Sequence, residues 1–403
     1  MILWKKILSR DNIDKLFAIA GLTLALLLLS MNFILFKSLI ITVVFVIIFI
    51  SCLVYLAIGE TFNVELRKPE SDLNVKLFSV IYFVLYIIST LILYLRPNLY
   101  ERPLIYFLII ILMTGVLAGG CISADRQHIG LILVQVFLLG INLGWSHLMI
   151  VPSLIGVDPW FHYDLTSRLI EGSDIPEWYA YQKLPIFHLM VAITSMISTY
   201  PYKFATMLSV SLGQIICNAT FVFLFANHLF KNYRVGLLAA LLVMIGDIHI
   251  CWTYWSIPNA FGGIFVLILL YLLFAKHNPF SQLATSILAI ILMVTIILTH
   301  SLVASITAIS LFVAYICFNY RELSFGKSEA MKTLLIPCFF SLAMFAWWNY
   351  GSDVINIFSY FVRDLDLTFL TTTRGISSNI VTPPFELIFP LLGRYLFFSL
   401  ATI

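Results

Sequence analysis

Asp158-Pro-Trp-Phe-His-Tyr-Asp164 gathers two carboxylates, a histidine and three aromatic rings into one short polar loop. The loop follows a long apolar run. A loop of this kind at the end of an apolar span is where chemistry at a bilayer surface can take place. Asp158 and His162 are four apart, as are Asp164 and Arg168, so on a helix each pair meets on one side. The plainer reading is that Asp158 only caps a helix and that Asp164 only pairs with Arg168. Asp158-Pro159 is indeed a helix start, with aspartate at the N-cap and proline at the first helical position. Gly172 after Leu169-Ile-Glu171 is a stop. Phe161, Leu165 and Leu169 give this helix one apolar face.

The elements that must hold the loop are membrane spans. The 403 residues are 61% hydrophobic and only 11% charged, where a soluble chain carries about 25% charged residues. So little polar surface cannot cover a water-facing core, so the composition predicts an all-α polytopic membrane protein. The net charge of +3 is small and no basic cluster rises above ordinary membrane-flanking charge, so no nucleic-acid partner is expected. The six cysteines all lie in or beside apolar runs and make no C-x-x-C pair, so they read as small core residues. The basic start before residues 16–36 looks like a signal peptide, but that run is too long for one and no cleavage site follows.

Runs of about 20 apolar residues lie near 16–36, 39–58, 77–95, 104–122, 129–150, 203–229, 235–254, 260–275, 281–299, 301–318, 333–349 and 384–402, which predicts twelve spans. The stretch Pro185 to Thr199 is too short to cross. Its His188, Ser195 and Thr199 recur at spacings of seven and four, which suits a helix lying in the interface. With that segment not crossing and the N-terminus cytoplasmic, 14 lysines and arginines fall inside and 8 outside. The 151–202 loop, the Ser256-Ile-Pro-Asn259 turn, His300 and the loop 350–383 are then extracytoplasmic. Asp247 and His249 occupy the outer half of the span 235–254, crowned by Tyr254, Trp255 and Asn259. Ionisable groups at membrane depth are costly and suggest function. The chain stops at the end of a span with no tail, as a truncated or split form of something longer would.

These residues resemble a family. Asp158-Pro-Trp-Phe-His-Tyr163 is similar to the Asp-Pro-Trp-Phe signature in the first outer loop of oligosaccharyltransferase catalytic subunits. The wider pattern resembles the GT-C superfamily of membrane glycosyltransferases: an acidic outer loop with two surface helices, then an array of spans, then a further polar outer loop. The resemblance covers 124–403, with 1–123 left as a four-span module of unread role. It implies a sugar donor on a polyprenyl phosphate, attack on the anomeric carbon with inversion, and a glycan, lipid or protein acceptor. It makes Asp158 the base or a metal ligand, with His162 and Asp164 beside it. The family role admits a divalent cation, Mg or Mn. Arg363, Arg374, Lys183 and His300 are the candidates for holding the donor phosphate, with Asp247 and Asn259 as further substrate contacts. A carboxylate near a low-dielectric boundary would also be a better proton acceptor.

The sequence departs from that family in places. Trp347-Trp-Asn-Tyr-Gly351 has Asn349 where oligosaccharyltransferases have aspartate, and it ends a span with no soluble domain after it. It reads as an aromatic belt. This favours a monosaccharide transferase over peptide transfer. A transporter or lipid flippase is the alternative, and a non-catalytic membrane scaffold the third reading. Transporters tend to gather ionisable residues at the midplane with repeat symmetry; here polar residues gather at one surface and no repeat is evident.

Overall fold

The computed structural model describes residues 13–31, 42, 45–46, 48–50, 52–53, 56, 72–172, 174–175, 180–274, 282–321 and 334–352. The chain divides into two compact units, one of residues 1–67 with 362–403 and one of residues 68–361. In the first, α1 (Ile13–Met31) is an apolar helix, and Cys52 approaches Gly21 closely. The described part of the second is mostly helical, with no strand among the described residues.

Its helices are α2 (Asp72–Tyr94), α3 (Leu104–Ser123), α4 (Ile129–Ile150), α5 (Asp158–Ile170), α6 (Ile186–Ser198) and α7 (Tyr202–Phe230, through a π turn). They continue as α8 (Tyr233–Met244), α9 (Asp247–Tyr254), α10 (Pro258–Phe274), α11 (Gln282–Thr299), α12 (Ser301–Arg321) and α13 (Leu335–Ala346). Four helices among the described residues are long and apolar enough to cross a membrane: Asn74–Tyr94, Leu104–Ser123, Arg126–Ile150 and Tyr202–Phe230. A fifth span results if α8 and α9 count as one, although they meet at a bend of 57°. The predicted run 235–254 is thus a helix broken at Ile245–Gly246. Gly246 takes an extended conformation there and Asp247 opens the next helix. A carboxylate in a first turn is favoured by the helix dipole. The predicted run 384–402 and the loop 353–383 lie outside the described residues.

The helix α4 organises the larger unit through two faces. One carries a set of buried polar bonds. The hydroxyl of Tyr82 donates to the Gln135 carbonyl (2.6 Å), that of Tyr106 donates to Asn142 Oδ1 (2.8 Å), and Asn142 Nδ2 donates to Ser89 Oγ (2.8 Å). Buried polar groups must find partners, and among apolar helices they find each other. These bonds join α2 and α3 to α4, so two helices of the stretch 1–123 share a core with the helices that follow. The other face is bare. A Cβ on Gly144 would fall 2.3 Å from Thr253 Oγ1 of α9, and one on Gly140 would fall 2.8 Å from Met244 Sδ of α8. Small residues four apart let helices approach to this distance.

Gly144→Ala is therefore expected to lower stability by about 1–3 kcal/mol, the usual cost of overpacking. Gly263→Ala, with open space around its Cβ, is the neutral comparison. Thermal unfolding of the detergent-solubilised protein measures both. Thr253→Ala should restore part of the Gly144→Ala loss, because it removes Oγ1, the nearest atom, while the Thr253 Cβ at 2.7 Å remains.

Candidate functional site

The segment predicted to open on Asp158 is a helix, α5, set at its start by one glycine. Gly156 has φ +87, and a Cβ there would lie 2.1 Å from Trp255 Nε1, so only glycine lets the loop pass over the indole. The helix begins one residue earlier than expected. Val157 is the N-cap residue, and its carbonyl accepts from the backbone N–H groups of Trp160 and Phe161. Asp158 makes no side-chain capping bond, which corrects the expectation that it is the N-cap. Its carboxylate is free for other use. The predicted stop holds: Glu171 caps the helix and Gly172 follows with φ +77.

Four of the sequence-derived candidates come together. Asp158, His162, Asn259 and His300 line one cavity of about 220 Å³, with Phe161, Tyr181, Ile257 and Pro258. The i,i+4 spacing puts Asp158 and His162 there from α5. Asn259 comes from the first turn of α10, and His300 from the tight connection between α11 and α12. Asp158 is exposed where it lines the cavity.

The other candidates are elsewhere. Asp164 is exposed and bonds Arg168 Nε at 3.1 Å, which is the plainer reading of that pair. Lys183 is exposed; its backbone carbonyl accepts from Trp347 Nε1 at 3.0 Å. Asp247 starts α9 and does not line the cavity. Arg363 and Arg374 lie outside the described residues. Trp347–Gly351 forms a π turn with Trp348 buried and Tyr350 exposed.

Two site residues were not singled out for this role by the sequence. His188 reads as part of a polar stripe on α6, yet it is fully buried, and the exposed side of α6 is apolar, with Ile193, Met196 and Ile197. His188 Nε2 lies 3.0 Å from His162 Nδ1, so the two surface-loop helices are joined by a buried imidazole pair. Tyr181 packs edge-on against both rings and tilts over His300. A lone histidine in an apolar 13-residue helix was the available signal, because such a ring must be given a partner if it faces inward.

Burial keeps these histidines neutral. It pulls His162 down to about 3, with His188 and His300 nearby adding to the shift, and it pulls His188 to about 3 and His300 to about 4. Burial, with the Asp158 charge, pushes the Tyr181 phenol up to about 12. The hydrogen bonds then set the tautomers. His300 Nδ1 accepts from the Leu302 N–H at 3.1 Å, capping α12, so its proton is on Nε2. His188 Nδ1 is buried without a partner. An orphaned acceptor costs less than an orphaned N–H, so His188 also carries its proton on Nε2 and donates it to His162 Nδ1. His162 in turn holds its proton on Nε2, the nitrogen that does not face His188. The site thus has neutral N–H donors, a phenol, an Asn259 Oδ1 that is buried and unpartnered, and one carboxylate. No lysine or arginine lines it among the described residues. Such a set can hold an anionic oxygen with neutral donors and take a proton at the carboxylate.

No three metal-ligating side chains stand together among the described residues; toward the divalent cation the resemblance admits, the cavity offers the one Asp158 carboxylate with Asn259 Oδ1. No family model matches the chain, and neither does any curated protein or solved structure. What fold and site define is an all-α chain with helices fit to cross a membrane and a histidine-lined cavity beside one carboxylate.

The neutral pair makes stability pH-dependent. The folded rings resist protonation down to about 3, while the unfolded chain takes up those protons near the ordinary value of 6.5. The unfolded state binds more protons in between, so stability is full above about 6.5 and declines as pH falls toward 3. Thermal unfolding followed from about pH 8 to about pH 4 should show the midpoint falling below about 6.5. The double variant His162→Phe/His188→Phe should fall less steeply. Equal slopes would mean that the pair is not held neutral by burial.

Proposed function

We propose that this chain is a membrane glycosyltransferase of the GT-C type, transferring a sugar from a polyprenyl-phosphate donor with inversion. The observation that carries the reading is the convergence of Asp158 with His162 and His300 at one cavity. The likeness of Asp158-Pro-Trp-Phe to the oligosaccharyltransferase signature supports it, as does the placing of that motif on a short helix paired with a second, α6. In this reading there are twelve spans, and the cavity opens on the extracytoplasmic face of a multi-pass cell-membrane protein with its N-terminus inside. A balance of 14 cytoplasmic against 8 outer basic residues favours that orientation.

The acceptor hydroxyl approaches from the Asp158 side and gives its proton to the carboxylate. Its oxygen forms a bond to the anomeric carbon as the bond from that carbon to the phosphate oxygen breaks. The bonding electrons leave with the polyprenyl phosphate. His300 Nε2–H and His162 Nε2–H donate to the oxygen on which this charge develops. No step is routed through a metal ion. Arg363 and Arg374 remain candidates for the phosphate.

One observation favours the alternative, a transporter or lipid flippase. The bent α8–α9 pair carries Asp247 at the break and a buried His249 just beyond it. Broken helices with ionisable groups are a transporter feature.

Both readings meet one experiment. Purified wild type and Asp158→Asn are offered polyprenyl-phosphate sugars in proteoliposomes, with transfer and flux recorded separately. Wild type should transfer sugar, and Asp158→Asn should do so about 10²–10⁴-fold more slowly, the usual worth of a positioned base. Equal rates would take Asp158 out of the reaction. Flux of donor without transfer would replace the transferase with the flippase.

A further inference from the structure

A second cavity, of about 390 Å³, lies between α2 and α4 and shares no residue with the histidine cavity. Thr90 and Tyr94 of α2 line it with Trp145 and Met149 of α4, and Arg96 stands just beyond the end of α2. It opens outward, since Tyr94 is 81% and Met149 64% exposed. The neighbouring face of α2 is apolar and uncovered, with Val84, Ile87 and Leu91 half-exposed or more. A chain in the surrounding lipid can therefore enter from the side.

The polar groups of this cavity do not call for water. Asn142 spends its amide on Ser89 Oγ and its carbonyl on the Tyr106 hydroxyl. Ser146 Oγ donates to the Leu143 carbonyl, and Trp145 Nε1 donates to Ser211 Oγ at 2.9 Å. A bound water needs about two to four polar partners; Asn142, Ser146 and Trp145 are already committed, which leaves the Tyr86 and Tyr94 hydroxyls beside Arg96 in a lining otherwise mostly apolar. The occupant that suits such walls is apolar. At the rim the demand is opposite. Arg96 Nη1 donates to the Leu93 carbonyl at 2.8 Å, while its Nε is buried without a partner. No carboxylate pairs with Arg96 among the described residues. A guanidinium in that position is a fork for phosphate oxygens.

We infer that the α2–α4 cavity binds an anionic phospholipid, one acyl chain between the helices and the phosphate diester at Arg96. The site is independent of the transferase reading. It rests on the helices being in a membrane and on the charge complementarity of an unpaired arginine above an apolar slot.

Native mass spectrometry of the delipidated full chain in detergent tests this with three probes: phosphatidylglycerol, diacylglycerol of the same acyl chains, and inorganic phosphate. Wild type should retain phosphatidylglycerol about ten-fold better than diacylglycerol, as one charge-assisted contact provides. Inorganic phosphate should neither bind nor compete. Arg96→Gln should remove the preference, and Arg96→Lys should keep part of it. Thr90→Trp, which fills the slot from an exposed position, should lose both lipids. Phosphatidylglycerol held no better than diacylglycerol by wild type, or held unchanged by Thr90→Trp, overturns the proposal. Displacement by inorganic phosphate would also overturn it, by showing an anion site with no lipid.

Discussion

The buried bond between His162 and His188 is the interaction on which the site depends. Both rings are almost wholly removed from water, and each would be costly alone. Together they satisfy one nitrogen apiece, which ties α5 to α6 and sets the face that α5 turns toward α10 and α12. Because α5 carries Asp158 one turn before His162, fixing the imidazole also fixes the carboxylate at the cavity mouth. The same bond decides which His162 nitrogen keeps its proton. One contact therefore sets position and hydrogen-bond polarity at once.

The rest of the unit shows the same economy on a larger scale. Along α4, Asn142 and Ser146 take up the polar demands of α2 and α3, and Gly140 and Gly144 give α8 and α9 room to close in. A helix that was apolar on all sides would hold its neighbours by dispersion alone, with no preferred rotation. The polar bonds fix which face of α4 meets which neighbour. On either side of the bend at Gly246, α8 and α9 each meet α4 at a separate glycine. Trp255, just beyond α9, then lies under Gly156 and sets where the loop to α5 begins.

Much of this was legible in the sequence, and the failures have physical reasons. Apolar runs near 104–122, 129–150 and 203–229 became helices close to their predicted bounds, because length and hydrophobicity suffice to specify a helix among apolar neighbours. The i,i+4 geometry of Asp158 and His162 was enough to put both at one cavity. Asp164 and Arg168 obey the same rule and merely pair on the surface, since spacing along a helix does not say which side faces inward. His188 falls on the same polar stripe as Ser195 and Thr199 for that reason: a 13-residue helix with one histidine has no internal sign of its partner. The break at Gly246 was carried only by the Gly246-Asp247 step inside a run that is otherwise mostly apolar, so composition over the whole run read as one span where the helix axis bends by 57°. Tyr181 sits in a short 3₁₀ turn with no periodicity to betray it.

The charge balance of the histidine cavity bears on how an anion would be handled there. A site that places fixed cations around a phosphate binds substrate and leaving group alike, and binding that is uniform along the reaction does not speed the chemical step. Neutral Nε2–H donors respond differently. Their attraction grows with the negative charge on the oxygen they face, and their orientation is already fixed, at His300 by the Leu302 N–H and at His162 by His188. Burial also keeps both rings from becoming cations in the pH range where carboxylates are ionised. In the glycosyl-transfer reading, such donors favour the state in which the anomeric bond is breaking over the bound donor. Among the described residues, the Asp158 carboxylate is then the one charged group lining the cavity, on the side where a proton must be removed.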